Sequence, residues 1–346
     1  MRAAAPEQPS PAPPLARRGS TRRAPRWPRW PIGALSPAGS RGRLSILIFH
    51  RVHDEPDAIF PREMTAAAFR ERMTWMHEWF TVLPLADAIA ALSRGTMPRR
   101  AMAITFDDGY ADNATVALPV LRELGLHATF FIATGFLDGG RMWNDTVVES
   151  VRRSSRPALD LDDIGLGSHA LGSIESRRLA IGTLLPALKH LVPSERLEKV
   201  QAIAERAQAS LPTDLMMSSS QVRSLAAAGM GIGAHTVSHP ILATLDTSTA
   251  QREIVEGRET LAGLLSQRIA LFAYPNGKPD ADYRGAHVKM AREAGFDAAV
   301  STAWGAASIG DSLHELPRFT PWGGSPTGWA WRLARNYRAP VKRASS

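Results

Sequence analysis

From Leu44 onward, apolar positions along the chain follow two alternating rhythms. Short apolar runs rich in β-branched and aromatic residues recur at 44–50 ("LSILIFH"), 81–85, 101–106 ("AMAITF"), 127–133 ("HATFFIA"), 230–234, 269–274 ("IALFAY") and 297–302. Their length and composition predict strands. Between them the apolar spacing becomes helical. Residues 65–80 carry Phe69, Met73, Met76 and Phe80 on one face, with Thr65 placed to cap the first turn. Further helices are predicted at 86–94, at 114–125 (closed by Gly125), at 218–229, at 248–266 and at 286–295. Seven strands alternating with helices imply parallel strands joined by crossover helices. That number suits a closed or nearly closed (β/α) barrel better than an open sheet. Residues 137–217 interrupt the alternation, with helical stretches near 143–153, 175–191 and 194–210 and no strand continuing the series. This part reads as a helical insertion.

Charge changes the picture mainly at the ends. The chain has 346 residues and a formal net charge of +8. Residues 1–43 alone hold nine Arg and one acid, and five more Arg or Lys follow from Arg332. The body, 44–331, is therefore net acidic, which argues against a nucleic-acid partner. The Pro- and Arg-rich segment 1–43 is expected to be disordered, and 332–346 to form a basic tail. Trp27 and Trp30 would let the first segment touch an anionic membrane surface weakly. No apolar run reaches about 18 residues, so no membrane span is expected. No secretory leader is evident either, and the expected location is cytoplasmic or membrane-peripheral. With no cysteine anywhere, disulfides, thiolate metal sites and a cysteine nucleophile are excluded.

Chemistry gathers at the strand ends. In β/α folds these C-terminal ends carry function. His50, the pair Asp107–Asp108, His235 and the loop after Tyr274 all fall there. Two adjacent carboxylates at the end of a buried strand repel each other, so something must use or neutralise them. His235 and His239 lie four apart, on one face if the turn is helical. Two imidazoles and one carboxylate with an open position make the usual composition of a catalytic divalent-metal site. One Asp would bind the cation and the other act as general base. Successive residues of an extended chain point to opposite sides, and the sequence alone does not say which Asp does which.

"TFDDGY" (105–110) together with "HTVSHP" (235–240) resembles the polysaccharide deacetylases, the NodB-homology family of carbohydrate esterases. The resemblance covers most of residues 44–320. It implies a distorted seven-stranded (β/α) barrel that removes N-acetyl groups from the amino sugars of a glycan. It also implies Asp107 as base, and Asp108, His235 and His239 as ligands of a divalent ion, commonly zinc. "AYPNG" (273–277) matches the family's loop at Pro275 and Gly277, which makes the backbone N–H of Asn276 the oxyanion donor. Ala273 departs from that motif, since many members carry an arginine there to orient the base; Arg318 is a candidate replacement. "ILIFHRV" resembles the circularly permuted, exopolysaccharide-associated branch and implies His50 as general acid. Tyr110, Trp143, Tyr274, Pro275 and Arg318 are the candidate substrate-binding residues. Trp304 and Trp322 are further aromatic candidates for packing or sugar stacking. Two other readings compete with the deacetylase: an amide hydrolase for a small non-sugar substrate, and a non-catalytic carbohydrate-binding protein on the same fold.

Overall fold

A computed structural model describes residues 25–320 and 323–344. Its strands are β1 (Ser45–Phe49), β2 (Thr81–Val82), β3 (Ala101–Phe106), β4 (Thr129–Ile132), β5 (Ala158–Leu161), β6 (Gly167–Ala170), β7 (Gly231–Ala234), β8 (Leu271–Ala273) and β9 (Ala298–Val300). The helices are α1 (Arg29–Leu35), α2 (Ala66–Trp79), α3 (Leu85–Arg94), α4 (Leu118–Glu123), α5 (Trp143–Arg153), α6 (Ile174–Lys189), α7 (Pro193–Ala207), α8 (Ser219–Ala227), α9 (Thr247–Leu265), α10 (Gly285–Glu293) and α11 (Pro326–Asn336).

Seven strands form one parallel sheet in the order β1–β3–β4–β7–β8–β9, with β2 also on β3. Every residue of β1 and of β3 is buried, as expected where helices cover one face and the barrel interior the other. Strand β1 takes one edge of β3, from Ser45 opposite Met102 to Phe49 opposite Phe106. The other edge is shared, β2 pairing at Ala101–Met102 and β4 at Thr105–Phe106. That sharing distorts the barrel. Closure comes from the extended segment Leu316–Phe319. Ser301 N donates to Leu316 O (2.9 Å) on the β9 side, and Phe319 N donates to Ile46 O (2.8 Å) on the β1 side.

Alternate strand residues face two cores. Phe49, Phe106 and Phe130 pack with Phe69 of α2 in one aromatic layer, the Phe106 and Phe130 rings stacked 4.9 Å apart. The second core is built largely from small residues, among them Ala101, Ala103, Ala273 and Ala298, beside Phe131. The insertion has a core of its own, with Val147, Leu159, Leu184 and Ile203 among its members. Its three helices lie where the sequence places them. Between the first two sits an antiparallel hairpin, β5–β6, which the sequence reading did not anticipate. Leu159 and Leu161 face inward while Ala158 and Asp160 face water, a period of two too short to stand out.

The expectation of disorder over 1–43 fails for residues 25–43. Ile32 of α1 is fully buried. The indole Nε1 of Trp79 donates to Pro25 O (2.7 Å), Ser36 Oγ donates to Arg43 O (2.8 Å), and α1 packs on α11. The expectation for 1–24 lies outside the described residues. The basic tail expected from residue 332 is likewise partly folded, since 332–336 belong to α11. Asn336 there holds Gly305 through both its amide nitrogen and its carbonyl oxygen (2.7 and 2.9 Å). Among the described residues no helix is long and apolar enough to cross a membrane.

Candidate active site

The two aspartates diverge through backbone conformation. Asp107 continues β3, its N–H donating to Phe49 O (2.9 Å). Asp108 then takes a left-handed φ of +77°, followed by Gly109 at +90°. A non-glycine residue held there stores strain, which native structures concentrate at functional positions. The twist keeps both carboxylates near His235, with Asp107 Oδ2 at 3.9 Å and Asp108 Oδ1 at 3.4 Å from its Nε2.

His235 follows β7 directly. Its Nδ1 donates to Ala273 O (2.7 Å), which fixes the tautomer and leaves the Nε2 lone pair for a cation. His239 does not arrive on a helical turn, as the four-residue spacing suggested. Thr236 and His239 both have positive φ (66° and 53°), and Glu253 of α9 takes the loop's N–H groups in place of carbonyls four residues back. Its carboxylate accepts from Val237 N (2.9 Å), Ser238 N (2.8 Å) and Ser238 Oγ (2.6 Å). The His239 N–H donates to Thr236 Oγ1 (3.1 Å). Helix α9 presses against this loop at Gly257, where a Cβ would come within 2.7 Å of the Thr236 carbonyl carbon.

One ligand atom from each of Asp108, His235 and His239 lies within 4.8 Å of the others. Asp108 Oδ1 is buried, stands 3.3 Å from His239 Nε2, and accepts no hydrogen bond. A buried carboxylate oxygen without a donor, facing two imidazoles, suits a divalent cation. The electrostatics agree. Burial pushes Asp108 up, but the imidazoles of His239, His235 and His50 outweigh it and hold the carboxyl well below its usual range. His239 is pushed down to about 4, chiefly by burial, and so presents the neutral ring that ligation requires. For His235 the burial effect is overcome by Asp107 and Asp108, which raise it.

Asp107 is clamped from the barrel closure. Arg318, fully buried, sends Nη1 to Asp107 Oδ1 (2.6 Å) and Nη2 to Oδ2 (2.7 Å). It also donates to Ser301 O (2.9 Å) and Thr105 Oγ1 (3.2 Å). The small inner core leaves room for the guanidinium, which lies 5.7 Å from the centre of the Phe131 ring. Burial favours protonating Asp107, and Arg318, with a smaller share from His235, reverses that to keep the carboxylate ionised.

The remaining candidates separate. His50, exposed at the end of β1, bears electrostatically on Asp107, Asp108 and His239. A cavity of about 400 Å³ is lined by Asp108, His239, Asn276, Trp143 and Asn144. Asn276 sits there with φ +57°. Three candidate substrate contacts are internal instead. Tyr274 is fully buried, stacked 4.0 Å from Tyr283, with its hydroxyl donating to His314 O (2.9 Å). Pro275 is buried beside it. Tyr110 lies under the Arg51 guanidinium (4.6 Å) and donates to Asp145 (3.1 Å). Arg318 serves Asp107 rather than facing the cavity. Trp304 is half exposed and packs edge-on against Phe319, while Trp322 lies outside the described residues. Glu253 and Asp145 were missed, since a single acid on a helix carries no signal in sequence. Asp145, buried on α5, is pushed up to about 7 by burial, with Asp108 adding to the shift against Arg51.

Comparison with known proteins bears on the family and the fold. The family model described as polysaccharide deacetylase matches residues 94–159 and 195–299. YxkH of Bacillus subtilis (strain 168), whose name assigns it to the same family, is 22% identical over 278 residues, covering 80% of this chain and 70% of YxkH. Among solved structures, the Streptococcus pyogenes deacetylase PplD in complex with acetate superposes with a TM-score of 0.57 at 19% identity, covering 83% of this chain and 96% of that one. IcaB from Ammonifex degensii gives 0.55 at 17% identity, covering 87% and 98%. At such identities the structural matches speak for the fold.

Proposed function

Because this chain belongs to the polysaccharide deacetylase family, we propose that it hydrolyses the N-acetyl group of an amino sugar in a polysaccharide or its biosynthetic intermediate. The observation that carries the reading is the donor-less Asp108 Oδ1 facing two imidazoles, beside a second carboxylate held ionised by a buried arginine. Asp108, His235 and His239 would hold a divalent ion, zinc being the proposed one given the two imidazoles and one carboxylate. Such an ion supplies Lewis acidity toward the acyl oxygen and makes water a nucleophile at neutral pH.

The chain's own residues do the rest. Asp107, ionised and fixed by Arg318, takes the proton of the attacking water. The backbone N–H of Asn276, which lines the same cavity, stabilises the oxygen on which charge develops. His50, exposed at the end of β1, gives a proton to the leaving amine as the C–N bond breaks. Acetate release from N-acetylated oligosaccharides, measured with and without chelator beside metal analysis, tests the reading. Stoichiometric metal and chelator-sensitive acetate release are expected; metal-free protein that releases no acetate from any such substrate would overturn it.

The weak membrane-surface contact expected from the N-terminal segment is supported by one surface. Trp30 and Trp331 are 79% and 68% exposed on the paired helices α1 and α11. They line a groove of about 820 Å³ with Arg332, Arg335 and Arg338 and no acidic residue. Exposed indole rings and guanidinium groups on one groove suit an anionic lipid interface. Co-sedimentation with vesicles containing phosphatidylserine, but not with neutral vesicles, is expected. Loss of that difference in neither Trp30→Ser nor Trp331→Ser would refute the surface assigned.

A further inference from the structure

The wall of the active-site cavity facing the metal triad comes from the insertion, and it is basic. Lys189 ends α6, His190 follows it, and Arg196 lies in the first turn of α7. All three line the cavity of about 400 Å³ that Asp108, His239 and Asn276 line from the barrel side. Among the lining residues the only carboxylate is Asp108, which the cation site occupies. Lys189 and Arg196 have no carboxylate partner among the described residues. Arg196 is instead held by its neighbours, with Nη1 donating to Lys189 O (3.2 Å) and the guanidinium 5.1 Å from the centre of the Trp143 ring. Burial, its chief perturbation, lowers its pKa, the effect of a charge drawn from water with no counter-charge supplied.

A neutral N-acetylhexosamine offers such a wall hydroxyl acceptors but no counter-charge, and the ammonium left by deacetylation is repelled by it. We infer that the substrate carries an anionic group, a carboxylate or a phosphate, within about one sugar ring of the scissile acetamide, and that Lys189 and Arg196 bind it while Trp143 stacks on the ring. This rests on the deacetylase reading for the identity of the sugar, but the anion subsite stands on its own geometry. Two sources share that chemistry: a uronic acid neighbouring the amino sugar in a polymer, and a phosphate on the sugar's own anomeric oxygen. A fork-shaped guanidinium fixed by an indole and a mobile ammonium suit either.

The test separates binding from turnover. Calorimetry on the metal-loaded full chain would compare three probes: a neutral N-acetylglucosamine tetramer, a tetramer alternating N-acetylglucosamine with glucuronic acid, and N-acetylglucosamine 1-phosphate. At least one anionic probe is expected to bind tenfold or more tightly than the neutral tetramer at 50 mM salt. Most of that advantage should vanish at 500 mM. Lys189→Gln and Arg196→Gln are each expected to reduce the preference severalfold, and Lys189→Glu, at a half-exposed position, to abolish it. Whichever anionic probe wins names the source. Equal affinity for all three probes, or a preference untouched by Lys189→Glu, overturns the subsite. Acetate release on the same probes reports separately on the deacetylase reading: anion-selective binding without hydrolysis would sink that reading and leave the subsite standing.

Discussion

Replacing Arg318 with methionine removes the cation while keeping most of the side chain's volume. Asp107 is only 2% exposed, so the change strands a carboxylate inside the barrel and leaves Ser301 O without its donor. Breaking a buried ion pair from one side costs about 3–5 kcal/mol, comparable to a large fraction of a domain's total stability. The pH dependence identifies the cause. In the parent protein Arg318 lowers the Asp107 pKa, so the pair's stabilisation is present above the unfolded carboxyl value of 3.8 and fades as pH falls through the lower folded value. Without Arg318, burial raises the folded pKa instead. The native state then holds the proton more tightly than the unfolded chain, and stability falls as pH rises. The deficit of Arg318→Met should therefore be smallest near pH 3, where the lost bond to Ser301 O remains, and widen toward pH 7. Urea unfolding of the metal-free proteins across that range measures it, with Arg318→Met/Asp107→Asn completing a double-mutant cycle. A coupling above about 2 kcal/mol at pH 7 is expected. A deficit below about 1 kcal/mol, or one independent of pH, would refute the clamp.

Asp107→Asn should keep stoichiometric metal and lose acetate release by a factor of about 10²–10⁴; retention of more than a few per cent would remove Asp107 from the base role. Gly257→Ala gains about 1 kcal/mol of helix propensity but drives a methyl into the Thr236 carbonyl, so overpacking of about 1–3 kcal/mol wins. Chelator competition should show weaker metal retention because the His239 loop moves, and a more stable variant with unchanged metal affinity would contradict this. Asp145 has a folded value of about 7 against 3.8 unfolded, so the native state binds the extra proton between them and stability declines as pH rises from 4 to 7, by at most about 4 kcal/mol. Asp145→Asn, which still accepts from Tyr110, should be stabilised at pH 8 and gain nothing at pH 4. Equal effects at both pH values in thermal unfolding would show that burial is not what perturbs Asp145.

The sequence determined the parts whose signal is local. Seven apolar runs located the seven strands of the barrel because a strand buried on both faces must be apolar at nearly every position. The same runs showed which polar residues interrupt them, and those interruptions put His50, Asp108 and His235 at one end of the barrel. Tertiary structure decided what depends on distant segments meeting. Asp107 and Asp108 are equivalent in sequence; a left-handed turn and an arginine 211 residues away make them different. His239 reaches the triad because a glutamate on α9 organises its loop, not through helical spacing. Tyr274 sits in a motif loop yet lies wholly inside, stacked on Tyr283. The basic wall from α6 and α7 is ordinary surface charge until the insertion folds over the cavity. Hydrophobic period records whether a position is buried, but it carries no information about which remote side chain shares that burial, and the chemistry of this site is set by those remote pairings.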